Sequence, residues 1–494
     1  MYRSCPALYG FNASMLIEAI HNYRGTMNDT VSASDQQSMQ KSSVPKTRVL
    51  ALCMGYFLVL LDVTIVNVAL PSMHTDLEVS GPALAWVVDG YAVPLAALLL
   101  AAGAVGDRMG HRKIVVIGFA GFGIGSVLCA LAPGPGFLIT ARAIQGVGAA
   151  LCLPGTLAML TELAPDEQSR SRLVGAWAAI GGAALPAGPL LGGIAVSLFG
   201  WRSIFWLNVP LIAAAVCVLI RPDRTDHASR DQRVSVDWVG AALLTGAVAA
   251  GVSAISEIEH APAAAAGAAA GCLIFGVGFV VWERRTPHRL LQVEASQRKP
   301  LAVAAIVAGV MNLCAQGSLF VLTQVVQTVH GQSPIMAGVI MLPAFLPLPL
   351  LGSPAGKLVS KIGPWSTSTI GLVVGAIGFV VTGYAVTGGI GLILLLGLLL
   401  WGIGLGVMTP GVVSAAMQAT PHAPGVASGA SNTARQLGGA IGVAAFAAAA
   451  GSVGSSSFLP HTQWTLFAAG AAFLGASAVA VWRSRIDQKT SEPS

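Results

Sequence analysis

Three ionisable side chains stand where the chain is otherwise too apolar to hold them. Asp62 lies in Leu61-Asp62-Val63-Thr64-Ile65-Val66-Asn67-Val68-Ala69-Leu70-Pro71, the close of an apolar run that starts near Val49. Asp89 lies in Trp86-Val87-Val88-Asp89-Gly90-Tyr91, and Arg142 in Ala141-Arg142-Ala143-Ile144-Gln145-Gly146. A charge at bilayer depth costs about 3 kcal/mol on insertion scales, so such residues face a cavity or a partner and act there. The chemistry open to this set is proton handling. Asp62 and Asp89 are both candidate proton sites, since burial disfavours the charged form of a carboxyl group. Arg142 is the candidate partner that tunes Asp62. At about 1.5 Å of rise per residue, Asp62 falls about 12 Å and Arg142 about 7 Å from the outer ends of their helices, so the two can meet. Two plainer readings stand beside this one: Arg142 snorkels to the outer interface, and Asp89 sits in interfacial water. Thr64 and Asn67 fall on a different helix face from Asp62.

The elements that hold these residues follow from composition. Of 494 residues, 54% are hydrophobic and only 10% are charged. A soluble chain carries roughly a quarter charged residues, so most of this one must face lipid. It is expected to be an all-α integral membrane protein, with the bilayer as its first partner. The net charge of +6 does not point to nucleic acid, because Lys and Arg sit in short loops without interleaved aromatics. The seven Cys are spread one per segment, with no CxxC and no Cys/His cluster, which argues against metal or disulfide roles.

Apolar runs of about 20 residues, the length of one span, recur fourteen times from Val49 to 482. The weakest are the Ala- and Gly-rich runs 236–257 and 263–282. Loop charge orients them. One alternating set of loops holds Arg108/Arg112/Lys113, Arg170/Arg172, Arg221/Arg224/Arg230/Arg233, Arg284/Arg285/Arg289/Arg298/Lys299 and Lys357/Lys361. The other holds His74, Asp76, Glu78, Glu257 and Glu259, with Arg202 as its one basic residue. Both termini are therefore expected on the cytoplasmic side. Residues 1–47 read as a disordered cytoplasmic tail, with Met27 a candidate natural start, and 484–494 as a second tail.

An internal repeat divides what lies between. Gly103-x-x-x-Asp107-Arg108-x-Gly110 returns as Gly356-x-x-x-Ser360-Lys361-x-Gly363, at a constant offset of 253. The chain is read as a six-helix half over 48–221, two extra central spans with linkers over 222–300, and a second six-helix half over 301–483. Parallel halves of this kind are a transporter architecture, with the substrate between them near the midplane.

Further motifs bear on movement. In the loop 103–113, Gly103 and Gly110 permit a tight turn, and Asp107 can accept from helix N-termini or pair with an Arg across the cytoplasmic face, which suits a gate. Arg108 and Arg112 also serve as topology anchors. The fifth span sets Gly181, Ala184, Gly188 and Gly192 three or four apart, with Pro186 and Pro189 inside and Gly193 alongside. That makes a smooth, bent face on which a neighbouring helix can slide. Asp237 and Arg435 are expected to begin helices and to cap or anchor them. No G-x-x-x-x-G-K-[ST] occurs, so a nucleotide-driven pump is excluded. The nine His form no nucleophile–base or metal constellation, so an enzyme is not expected. No cofactor is expected; the energy must come from an ion gradient or from the substrate's own gradient.

These residues resemble the fourteen-span drug–proton antiporter branch of the major facilitator superfamily, over about residues 48–483. The resemblance is carried by the Asp62 stretch, the Gly103–Gly110 loop with His111 where a basic residue is more usual, and Arg142-x-x-Gln145-Gly146. Gly188-Pro189-x-x-Gly192-Gly193, Gly200-Trp201-Arg202 and Asn432-x-x-Arg435-Gln436-x-Gly438-Gly439-x-x-Gly442 complete it. It implies a major facilitator fold of two six-helix halves plus two central helices, working as a monomer in the plasma membrane. It further implies multidrug or antibiotic efflux by exchange of a small hydrophobic substrate for protons. Asn67, Gln145, Gln324 and Asn432 are the expected polar lining of the substrate cavity. Spans nine to fourteen contain no Asp or Glu, which disfavours dications and leaves neutral, anionic or monocationic substrates. Two alternatives remain: a metabolite or lipid-precursor carrier on the same fold, and a sensor or scaffold that moves nothing.

Overall fold

Apolar runs of this length leave the backbone one way to satisfy its polar groups in lipid, the α-helix. In the computed structural model every regular element is helical. It describes residues 46–78, 81–164, 166–220, 237–258, 261–286, 294–420 and 424–491. The tail up to residue 45, the basic loop with Arg221, Arg224, Arg230 and Arg233, and Glu259 and Arg289 lie outside the described residues.

The helices are α1 (Lys46–Asp76), α2 (Gly81–Met109), α3 (His111–Ala130), α4 (Pro135–Glu162), α5 (Glu167–Phe199) and α6 (Ser203–Ile220). Then follow α7 (Trp238–Ser256), α8 (Pro262–Arg285) and α9 (Ala295–Gln324), the last running into a π-turn at Val325–Val329. The rest are α10 (Pro334–Phe345), α11 (Pro347–Ile362), α12 (Pro364–Ala385), α13 (Leu392–Ala419), α14 (Pro424–Ala450) and α15 (Phe458–Ser491). Helices α10 and α11 are two legs of one span, parted at Leu346 just before Pro347.

Local chemistry sets several ends. Pro occupies the first turn of α4, α8, α10, α11 and α12, where its missing N–H costs nothing. Asp166 caps α5 through the Ser169 amide at 2.7 Å, and Asp237 caps α7 through the Gly240 amide at 2.8 Å. The expected repeat appears in backbone geometry: Gly110 and Gly363 both take positive φ, 89° and 86°, and each is the single residue between two consecutive helices.

Among the described residues twelve helices are long and apolar enough to cross a membrane, or thirteen if the bent α2 counts as one span. Fourteen were expected, and the difference is α14. It forms a helix of 27 residues, but Ser431, Asn432, Thr433, Arg435 and Gln436 cluster within it and lower its apolar content.

Packing gathers the helices into two groups. In the first, α1 lies against α5, and α4 against α2 and α3. In the second, α9 lies against α14, and α12 against α13 and α15. The groups meet chiefly where α2 touches α14 and α5 touches α10. The α7–α8 hairpin stands at the edge, with Val252 of α7 packed on Val93 of α2 and on Ala440 and Ala444 of α14. Asp237 also ties this hairpin together by accepting from Trp282 Nε1 at 2.8 Å. Large apolar side chains such as Leu198, Leu273, Ile274 and Leu392 stay exposed, which in a bilayer is the lipid-facing surface.

Candidate functional site: a buried carboxylate–guanidinium network

Four helices of the first group converge on Arg142. The guanidinium is fully buried, among the largest enclosed side chains of the protein. Its Nη1 donates to Asp62 Oδ2 of α1 and, at 2.8 Å, to Gln145 Oε1 one turn along α4. Its Nε donates to the Val87 carbonyl of α2 at 3.0 Å. The cation also lies over the Tyr91 ring at 4.4 Å and the Phe205 ring at 5.9 Å. A carboxylate and two ring faces supply the compensation that a buried charge needs.

Gln145 completes the network. Its Nε2 donates to Asp62 Oδ1 at 2.9 Å and to Ser126 Oγ of α3 at 3.0 Å, and Asn208 of α6 reaches the same hydroxyl at 3.4 Å. Both Asp62 oxygens are thereby held, one by a cation and one by an amide. Snorkelling of Arg142 to an interface is overturned, because its partner lies inward. Close approach makes the pairing possible: a Cβ on Gly146 would strike the Tyr91 carbonyl, and one on Gly125 would stand 2.7 Å from the Gln145 amide nitrogen.

Asp89 does not join the network. It is fully buried, and neither carboxylate oxygen has a hydrogen-bond partner among the described residues. Its burial also removes the interfacial-water reading. Two buried carboxyl groups thus stand in opposite environments, one saturated and one bare.

The family profile described as Major Facilitator Superfamily matches residues 52–443. The chain belongs to the major facilitator superfamily. The drug efflux pump JefA of Mycobacterium tuberculosis is 33% identical over 402 residues, covering 80% of this chain and 78% of that protein. The tetracenomycin C resistance and export protein of Streptomyces glaucescens is 31% identical over 412 residues, covering 81% and 75%. The xylose transporter XylE from E. coli shares the fold, with a TM-score of 0.60 at 15% identity over 88% of this chain and 98% of its own. The protein is accordingly a multi-pass protein of the cell membrane, with drug and antibiotic efflux proteins as its relatives.

In this superfamily member a cavity opens where the two helix groups face each other. Tyr91, Arg142, Gln316, Gln436 and Gly439 contribute to its wall, so the Arg142 network reaches the space between the groups. None of the four residues expected to line the substrate cavity belongs to this wall. Gln145 is locked beneath Arg142, and Asn67 Nδ2 turns back to the Val63 carbonyl of its own helix at 2.9 Å. Gln324 is buried in α9 and Asn432 half-buried in α14, and neither is part of this wall. Gln316 and Gln436 were missed. The available signals were the i, i+4 pair Asn312/Gln316 and the position of Gln436 beside Arg435.

The glycines of α5 divide by partner. A Cβ on Gly181 would meet the Tyr56 ring, one on Gly188 the Thr64 hydroxyl, and one on Gly192 the Ile65 side chain, all on α1. Gly193 alone faces the other group, where a Cβ would stand 2.8 Å from Ile335 Cα of α10. Gly338 of α10 repeats this close approach from the other side, since a Cβ there would strike the Pro189 carbonyl. The same logic recurs in the second group: Gly438 and Gly442 of α14 abut the Gly309 and Leu313 carbonyls of α9.

The Asp107 loop is built differently from expectation. Among the described residues Asp107 neither caps a helix nor crosses to an Arg; its partner there is His111 Nε2 at 3.2 Å, one turn on, and His111 also lies 3.7 Å from Glu162. Arg112 instead serves α6, donating Nε to the Leu219 carbonyl at 2.7 Å and Nη2 to that of Ile220. Those carbonyls end a helix and carry its negative pole, so a guanidinium is well placed there. Arg108 is exposed, and a Cβ added at Gly103 would meet Pro154 Cβ at an ordinary 3.9 Å. At the opposite end of the bundle, Asp76 accepts from Trp201 Nε1 at 2.9 Å and Arg202 Nη1 at 2.6 Å. The one basic residue of that loop set is therefore a clasp between α1 and α6. Arg435 also departs from expectation. It lies well inside α14, whose first residue is Pro424, and caps nothing.

Proposed function

We propose that the protein is a proton-coupled exporter of small hydrophobic compounds that works by alternating access. The observation that carries this reading is the Asp62–Arg142–Gln145 network, whose Arg142 lines the cavity between the groups. Protonating Asp62 would cancel its attraction for Arg142 and free a guanidinium that faces this space. Asp89 supplies the second site. A bare ionised carboxylate is costly to bury, so the neutral acid is the form its enclosure accepts. The two candidate proton sites thus differ in setting, Asp89 without a partner and Asp62 paired with Arg142. The drug and antibiotic exporters among the relatives support a hydrophobic cargo.

The fourteen-span arrangement of six, two and six, with both termini and the Asp107 loop cytoplasmic, belongs to the same proposal. Loop charge supports it, as do the equivalent turns at Gly110 and Gly363. Contacts between the groups at Gly193/Ile335, Gly338/Pro189 and Gln327/Val68 (2.9 Å) lie toward the Asp76 end. With that orientation these contacts close the outer end of the space between the groups.

The test is efflux from everted vesicles with imposed pH gradients, comparing wild type, Asp62→Asn and Asp89→Asn over a drug panel. Proton-driven efflux is expected in wild type and lost in Asp62→Asn. Undiminished proton-driven efflux in both variants would refute the coupling.

A further inference from the structure

Arg435 is a cation without an anion. It is half-buried in α14, its Nε is enclosed without a hydrogen-bond partner, and among the described residues no carboxylate pairs with it. None is near in sequence either, because the chain from Leu301 to Ile486 contains no Asp or Glu. Its electrostatic neighbour is the phenol of Tyr56 on α1, across the boundary between the groups. Arg142 offers the contrast, since that guanidinium is matched by Asp62.

The neighbourhood of Arg435 has a shape as well as a charge. The Tyr56 ring stacks on Trp177 of α5, with centroids 3.7 Å apart and planes within 8°. Gly181, one turn beyond Trp177, makes this possible, because a Cβ there would collide with the Tyr56 ring. The Trp177 indole is steadied by its N–H on Thr156 Oγ1 at 3.4 Å. At 1.5 Å per residue, Tyr56 and Trp177 each lie about 15 Å along their helices and Arg435 about 16 Å, counted from ends that share one side of the bundle. Asp62 lies about 24 Å along by the same count, so the three form a separate layer nearer the Asp107 end. Gln436 and Gly439, next to Arg435 and one turn from it, line the central cavity.

We propose that Arg435 with the Tyr56–Trp177 pair is a binding site for an organic anion, the acidic group on the guanidinium and a flat aromatic ring system against the stacked pair. The assignment rests on the reading that this chain moves small molecules. A half-buried guanidinium with an unpartnered Nε gains most from a ligand that brings its own carboxylate or acidic enol, through charge-assisted hydrogen bonds. A cationic cargo would be repelled at this layer.

The probes are anthracene-2-carboxylate, its carboxamide and the 2-aminomethyl analogue, with binding to the full-length protein in lipid nanodiscs read from probe fluorescence. Wild type is expected to bind the carboxylate at least about tenfold tighter than the carboxamide, the worth of one charged hydrogen bond. Arg435→Gln should erase that preference and leave carboxamide affinity unchanged, and Arg435→Lys should restore part of it. Trp177→Ala should weaken carboxylate and carboxamide alike. A carboxylate preference that survives Arg435→Gln, a wild-type preference for the aminomethyl probe, or binding of none of the three overturns the site. Arg435-dependent binding without proton-driven flux would instead refute the exporter reading and leave the site standing.

Discussion

Replacing Asp62 by Asn keeps the side-chain shape and removes the charge that Arg142 faces. Breaking a buried pair from one side costs about 3–5 kcal/mol, because the surviving charge is left uncompensated. Arg142 would keep the Val87 carbonyl at 3.0 Å, Gln145 Oε1 at 2.8 Å and the Tyr91 ring at 4.4 Å. A desolvated cation–π contact is worth about 2 kcal/mol, which places the loss at the lower end, about 3 kcal/mol. The folded-to-unfolded ratio should then fall roughly 100-fold. Removing the guanidinium too, in Asp62→Asn/Arg142→Gln, eliminates the stranded charge and should recover about 2 kcal/mol. The assay is equilibrium unfolding in mixed micelles, run as a double-mutant cycle on both residues. Costs that add to within about 0.5 kcal/mol would show the pair uncoupled and refute the reasoning. Proton-driven efflux measured in parallel should be absent from the double variant despite its recovered stability, separating coupling from folding.

Other predictions draw on neighbouring features. Asp89→Leu removes two unpartnered buried oxygens and should leave stability unchanged or raise it, while the pH dependence of efflux changes; a loss above about 2 kcal/mol by the same unfolding assay would mean Asp89 has a partner in the folded protein. Gly193→Ala pushes a methyl group into α10 and should shift the protein away from this closed contact, seen as a longer spin-label distance between α5 and α10 at the Asp76 end. Gly110→Ala and Gly363→Ala place L side chains at φ 89° and 86°, with no neighbour within 4 Å, so only backbone strain acts. Each should cost about 1–2 kcal/mol, and unequal costs would break the equivalence of the two turns.

The span positions were legible because lipid imposes one strong rule on composition, and even the weak Ala- and Gly-rich pair forms α7 and α8. The Asp62–Arg142 contact was legible for a related reason: each charge is too costly alone, and their depths match. Gln145 was misplaced because an amide inside an apolar helix has no such unique solution. It can line a cavity or bridge a carboxylate to Ser126, and only the packing of α3 against α4 decides. Asp107 failed for the opposite reason. On a water-exposed loop many partners are affordable, and His111, one turn away on the next helix, takes the contact at little entropic cost. Arg435 was assigned to a helix start because small and polar residues around it hide where α14 begins; Pro424 sets that start eleven positions earlier.

The distribution of contacts constrains how the molecule can move. The polar network lies wholly within the first group, on α1, α2, α3, α4 and α6, so a rocking motion of one group against the other need not break it. The contacts that must break are of another kind. Gly193 and Gly338 bring bare backbone against backbone, and Gln327 gives one hydrogen bond to the Val68 carbonyl. Surfaces without side chains to interlock separate without rotamer changes. Opening at the Asp76 end is therefore gated by little of its own, and the difference between states must come from what occupies the cavity and from the charge on Asp62. A Gln327→Leu variant should isolate this term. It removes the hydrogen bond between the groups without touching the network, so the population open at the Asp76 end should rise by roughly fivefold, the worth of about 1 kcal/mol. An unchanged population would mean that the glycine contacts alone hold this end shut.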